Sequence, residues 1–144
     1  MKFRIYFLIV LVLLAGNSLA QSSERVAVIV NKNNTSAITA ADIRNMYNDV
    51  VTHWPNQQPI VMYDIPTRKK AREVFSKKIL GVNASQAARA WANRKITNTA
   101  KNPPKTTKEE LVPKLVSKNS NAIGYVSEDV AKGKTGIKII MVLE

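Results

Sequence analysis

Arg25-Val26-Ala27-Val28-Ile29-Val30-Asn31 is a continuous apolar run rich in β-branched residues, closed by the polar stretch Lys32-Asn33-Asn34-Thr35-Ser36. A short run without polar alternation predicts a strand buried on both faces, and such strands belong to sheets covered by helices on either side. The remaining sequence supplies those helices. Thr39, with Asp42 three residues later, has the form of a capping box before Ile43, Met46 and Tyr47, whose spacing gives a short helix one apolar face. Residues 53–59 are turn chemistry in which Trp54 is expected to plug the core, and residues 60–64 read as the next strand.

Pro66 and Thr67 lead into a long basic helix with Ala71, Val74, Phe75 and Ile79 inward and Gly81 at the C-terminal cap position. A third helix over about 84–95 places Ala84, Ala87, Ala88 and Trp91 on one side, small residues that suggest close approach of helix to sheet. Residues 96–106, with Pro103-Pro104, read as an irregular loop. Thr107 and Glu110 form a second possible capping box, opening a helix with Leu111 and Leu115 inward and a kink or break at Pro113. Residues 121–126 form a strand entered from a turn, with Gly124 permitting close backbone approach. Ser127 can cap a single turn through Val130, and residues 138–143 form a last strand. The order β-α-β-α-α-α-β-α-β predicts one α/β sandwich with a mostly parallel or mixed sheet flanked by helices.

The chain has 144 residues and a formal charge of +12. Its start, Met1-Lys2-Phe3-Arg4, an apolar run to Ala15 and then Ser18-Leu19-Ala20, has the order of a secretory signal peptide, residues 1–20, with cleavage after Ala20. A single domain, residues 21–144, then retains 20 basic against 10 acidic side chains, a charge of +10. No later stretch approaches the roughly 18 apolar residues of a membrane span, so a periplasmic or secreted location is expected. With no cysteine and one histidine, His53, the sequence offers no disulfide, no thiolate zinc site, no histidine cluster and no obvious Ser-His-Asp set. No spaced carboxylate pair argues for glycoside hydrolysis. Asp42, Glu109 and Glu110 read as helix-start residues. The expectation is a protein that is not an enzyme and needs no cofactor or metal.

The most informative local feature is Asp64-Ile65-Pro66-Thr67-Arg68-Lys69-Lys70-Ala71-Arg72. A turn here leaves a strand and enters a helix, so unpaired backbone N–H groups converge near Thr67, Arg68, Lys69, Lys70 and Arg72. Hydroxyl, amide and cationic donors together suit a small oxyanion, held outside the carboxyl end of the sheet. A solvated basic face and a protein-docking surface are the competing readings. Asp64 could pair with Arg68 and hold the turn.

Asn31, Ile38-Thr39-Ala40-Ala41-Asp42-Ile43, Met46-Tyr47, Trp54, Arg72 with Phe75, Trp91, Pro103-Pro104 and Ala122-Ile123-Gly124-Tyr125-Val126 together resemble the phosphate-transporter substrate-binding proteins of bacterial periplasms. The resemblance spans about residues 26 to 142 and is closer to a short subgroup that holds little beyond one of the two lobes. It implies a single-lobe, periplasmic-binding-protein-like sandwich that binds phosphate or another small oxyanion and works with an ABC transporter. Aligned on Phe75, the family's Ser-Gly-Thr-Arg turn falls on Lys69, Lys70, Ala71 and Arg72, of which the arginine matches. The family position of Tyr125 lies near the inter-lobe side, which makes it a candidate ligand or partner face. A single lobe leaves an anion wet, so binding is expected to be weak and salt-sensitive unless a homodimer or another protein supplies the opposite wall.

Two alternatives accompany that reading. Lys77, Lys78, Arg89, Arg94, Lys95, Lys101 and Lys105 extend the basic character, as a general polyanion-binding surface would, without specific nucleic-acid readout. An accessory module docking to an envelope transporter or sensor is the other.

Overall fold

The computed structural model describes residues 23–144, so the stretch read as a signal peptide, with its cleavage point at Ala20, lies outside the described residues. The decisive run forms strand β1 (Val26–Asn31), and all six of its residues are buried. It is followed by helix α1 (Ala40–Tyr47), strand β2 (Val61–Asp64), helix α2 (Lys70–Phe75), a π-helical turn (Ser76–Leu80) and helix α3 (Ala84–Ile96). Then come a two-residue strand β3 (Lys105–Thr106), a 3-10 turn (Glu109–Leu111), helix α4 (Val112–Ser117), strand β4 (Ala122–Ser127), helix α5 (Glu128–Ala131) and strand β5 (Ile137–Leu143).

The five strands lie in the order β3-β2-β4-β1-β5. The sheet is mixed: β2 is parallel to β3 and β4, whereas β1 runs antiparallel to β4 and β5. Successive residues of β4 mark its two faces. Tyr125 stacks on Phe75 of α2 with ring centroids 3.8 Å apart, and Tyr47 of α1 meets both rings edge-on. On the opposite face, a Cβ built on Gly124 would lie 2.7 Å from Val112 Cγ1 of α4 and 3.4 Å from Tyr63 Cβ. The missing side chain is what lets α4 seat on the sheet. Asn31 joins that helix to β1, its Nδ2 donating to the carbonyls of Val116 and Ser117 at 3.0 Å each.

Several local expectations are met. Thr39 and Asp42 form the full capping box of α1, Trp54 is buried with its Nε1 donating to the Asn121 carbonyl at 2.9 Å, and Gly81 terminates the π turn at φ 71°. Others are corrected. Helix α2 begins only at Lys70, and the predicted long helix passes into a π turn whose Ile79 carbonyl accepts from Arg44 Nε at 2.7 Å. The alanines of α3 do not bring it against the sheet; that helix packs chiefly on the π turn. It begins with a capping box, Asn83 with Gln86, beyond the two legible in the sequence.

Thr107 is no cap: the helical turn that follows has Lys108 before it and α4 has Leu111, while the Thr107 N–H donates to the Asp64 carbonyl at 2.9 Å, prolonging the β2–β3 pairing. The chain instead makes a 3-10 turn and starts α4 at Val112, with Pro113 in the first turn, where a missing N–H costs nothing. The inward residues are accordingly Val112 and Val116, and Leu111 is 45% exposed. Among the described residues no helix is long and apolar enough to cross a membrane.

Candidate functional site

Beyond the carboxyl end of β2 lies an open hollow of about 290 Å³, lined by Asp64, Pro66, Thr67, Arg72, Ala88, Trp91, Ala92, Lys95, Pro104 and Thr106. Four segments build it. Asp64 ends β2, Thr67 and Arg72 come from the turn and the first residues of α2, and Pro104 with Thr106 approach from β3. The fourth wall is one stripe of α3, Ala88, Trp91, Ala92 and Lys95, at the i, i+3, i+4, i+7 spacing of a single helical face. The two alanines keep the hollow open where larger side chains would fill it.

Of the five residues expected to meet an anion, the fold brings Thr67 and Arg72 to the hollow. Thr67 is exposed. Arg72 is buried, 6% exposed, with Nη2 3.0 Å from Asp64 Oδ2 and Nη1 donating to the Ile65 carbonyl at 2.7 Å. Lys69 turns aside, its Nζ 3.8 Å from both Glu109 Oε2 and Glu110 Oε1. Arg68 and Lys70 are exposed and line no part of the hollow. Tyr125, expected on a ligand or partner face, has no surface of its own: it is 1% exposed, enclosed by aromatic rings, and its hydroxyl donates to Asp64 Oδ1.

Asp64 is the residue the sequence placed wrongly, pairing with Arg72 rather than with Arg68. Its carboxylate gathers the Arg72 guanidinium, the Tyr125 hydroxyl and the Ile65 N–H, donated at 2.9 Å. Burial raises the Asp64 carboxyl above the usual range, against the opposing pull of Arg72 and of those two hydrogen bonds. Burial likewise pushes the Tyr125 and Tyr47 hydroxyls well above their ordinary value, with the Asp64 charge adding to it. The arrangement leaves part of the arginine's five-donor fork unspent, since two contacts account for only two of its N–H groups.

Lys95 and Thr106 also border the hollow. Read in sequence, Lys95 belonged to an undifferentiated basic stretch and Thr106 to a loop; what could have marked them was the helical register of Lys95 with Trp91 and the position of Thr106 opposite Asp64 in the sheet. A second hollow of about 330 Å³, between α1 and the turn that carries His53 and Trp54, lies apart from this cluster.

No family model matches this chain, and no curated protein matches it significantly. Solved structures do resemble it. An ABC-type phosphate transport receptor from Vibrio cholerae superposes with a TM-score of 0.62 at 17% identity, covering 82% of this chain and 46% of the receptor. A protein assigned as a phosphate ABC transporter substrate-binding protein from Clostridium perfringens, solved with bound phosphate, gives 0.60 at 22% identity, covering 81% and 45%. A possible phosphate-binding protein from Planctomyces limnophilus gives 0.60 at 16%, covering 82% and 42%. The chain therefore shares its fold with part of each of these structures, and it spans less than half the length of each of the three proteins.

Proposed function

We propose that this chain is a secreted, non-catalytic, solute-binding-like protein of the cell envelope that takes phosphate or another small oxyanion in the hollow beyond β2, in association with transport. What supports the reading is the hollow itself, where Thr67, Lys95, Thr106 and Arg72 border one space of about 290 Å³. The fold adds weight, since it is shared with proteins described as phosphate receptors, one of them solved with bound phosphate. The site is a modest one. Arg72 already answers a carboxylate, and the hollow is open to water, so each polar contact is weakened by solvent. Affinity on the order of millimolar, falling as salt is added, is the expectation.

The test is calorimetric titration of the chain, lacking residues 1–20, with phosphate at low salt. Thr67→Ala and Lys95→Ala each remove one donor without touching the core and are expected to weaken binding several-fold. Absence of binding, or binding indifferent to both substitutions, overturns the reading.

A further inference from the structure

The hollow contains a carboxylate, and that carboxylate is bound to the buried cation of the site. Asp64 and Arg72 are 4% and 6% exposed, and both line the hollow. While Asp64 is ionised, the pair presents little net charge, and an incoming oxyanion meets both the repulsion of the carboxylate and competition for the guanidinium. Once Asp64 is neutral, the guanidinium keeps its charge and its strongest local competitor is gone.

We propose that Asp64 gates the hollow: ionised, it holds Arg72 to itself, and its protonation releases the guanidinium to a bound oxyanion, so that solute and one proton are taken up together. This rests on the oxyanion reading and adds its regulation. The groups that face the gate are few. Arg72 from α2 and Tyr125 from β4 contact the carboxylate directly. Tyr47 of α1, whose hydroxyl donates to the Tyr63 carbonyl at 2.7 Å, stands close enough for the Asp64 charge to raise it. Lys95 of α3 shares the hollow, and Lys105 of β3 lies opposite Tyr63, one residue from Asp64. Of these, Asp64 is the group whose proton changes hands in acid, and burial moves that change upward from the ordinary carboxylate value. By linkage, affinity then rises as pH falls, by up to about tenfold per pH unit for one proton taken up.

Sulfate is the probe, because its own charge does not change over the range. Titrations of the wild type at about pH 7.5 and about pH 5 are expected to tighten about tenfold at the lower value. Asp64→Asn is expected to bind at the higher pH as tightly as the wild type at the lower, with no pH dependence. Tyr125→Phe removes a hydrogen bond that favours the ionised carboxylate, so its transition moves to higher pH; this variant keeps the ring stack and carries the test should Asp64→Asn not fold. A flat wild-type profile, an Asn variant that keeps the wild-type slope, or an unmoved transition in Tyr125→Phe overturns the gate. Phosphate binding at neutral pH that Asp64→Asn leaves unchanged sinks the gate while sparing the oxyanion reading. Binding absent at neutral pH but present in acid or in Asp64→Asn sinks the neutral-pH reading and sustains the gate. Absence of binding in every arm sinks both.

Discussion

Arg72 is held at both ends of its fork, by Asp64 Oδ2 and by the Ile65 carbonyl, and its removal leaves a buried carboxylate without its cation. Arg72→Ala should destabilise the protein by about 3–5 kcal/mol near neutral pH. In urea denaturation the deficit should shrink in acid, where Asp64 is protonated; an equal deficit at both pH values would contradict the account. The sign for Asp64 follows from its raised carboxyl. Its contribution to stability is complete below the unfolded value of 3.8 and declines as pH rises through the higher folded value.

Asp42 and Glu73 act oppositely. Held low, chiefly by the Thr39 backbone and the Ala84 backbone respectively, they contribute above the ordinary carboxylate value and lose that contribution as pH falls through the folded one. Asp64→Asn should therefore remove the descending part of the stability profile just above pH 3.8 and leave the acid-side part in place. The sequence exposed half of this arrangement. The stretch from Asp64 to Arg72 advertised its cations, but which of them meets the carboxylate depends on where α2 starts. A turn through Thr67 and Arg68 puts Arg72 over the strand end and Lys69 against Glu109.

At the scale of elements, a helix start is legible where its cap is local. Thr39 with Asp42 could be read because both halves of the box lie within four residues, and Asn83 with Gln86 has the same form. Thr39→Ala and Asn83→Ala should each cost about 1 kcal/mol, read from chemical denaturation; an effect near zero at either position would contradict the assigned caps. Long-range contacts set what could not be read. Thr107 has the local form of a cap, but its pairing with β2 holds it at the sheet edge and the next helical turn starts only after Lys108. Asp49, at φ 66°, accepts from the N–H groups of Lys101 and Asn102 and so fixes the loop toward Pro104, a contact between residues about fifty apart that no local spacing announces. Gly124 was legible as a close-approach residue, and the structure identifies its neighbour. Gly124→Ala should destabilise by about 1–3 kcal/mol through contact with Val112, and Val112→Ala in the same chain should recover part of the loss. Absence of that recovery would mean the glycine serves something other than the seating of α4.

For the whole molecule, the mixed sheet with helices on both faces places a hollow at the end of β2 and leaves it uncovered. The three solved proteins of similar fold are each more than twice as long as the part this chain matches. The net charge of +12 lies mostly on side chains outside the hollow, so a general attraction of anions to the surface and a local site must be told apart. NMR separates them, with amide and indole shifts of the chain lacking residues 1–20 followed as phosphate is added at low salt. The account predicts saturable shifts confined to Thr67, Arg72, Thr106 and the Trp91 indole, with the midpoint moved several-fold higher in Lys95→Ala. Small, non-saturating shifts spread over the lysine-rich surface would contradict it.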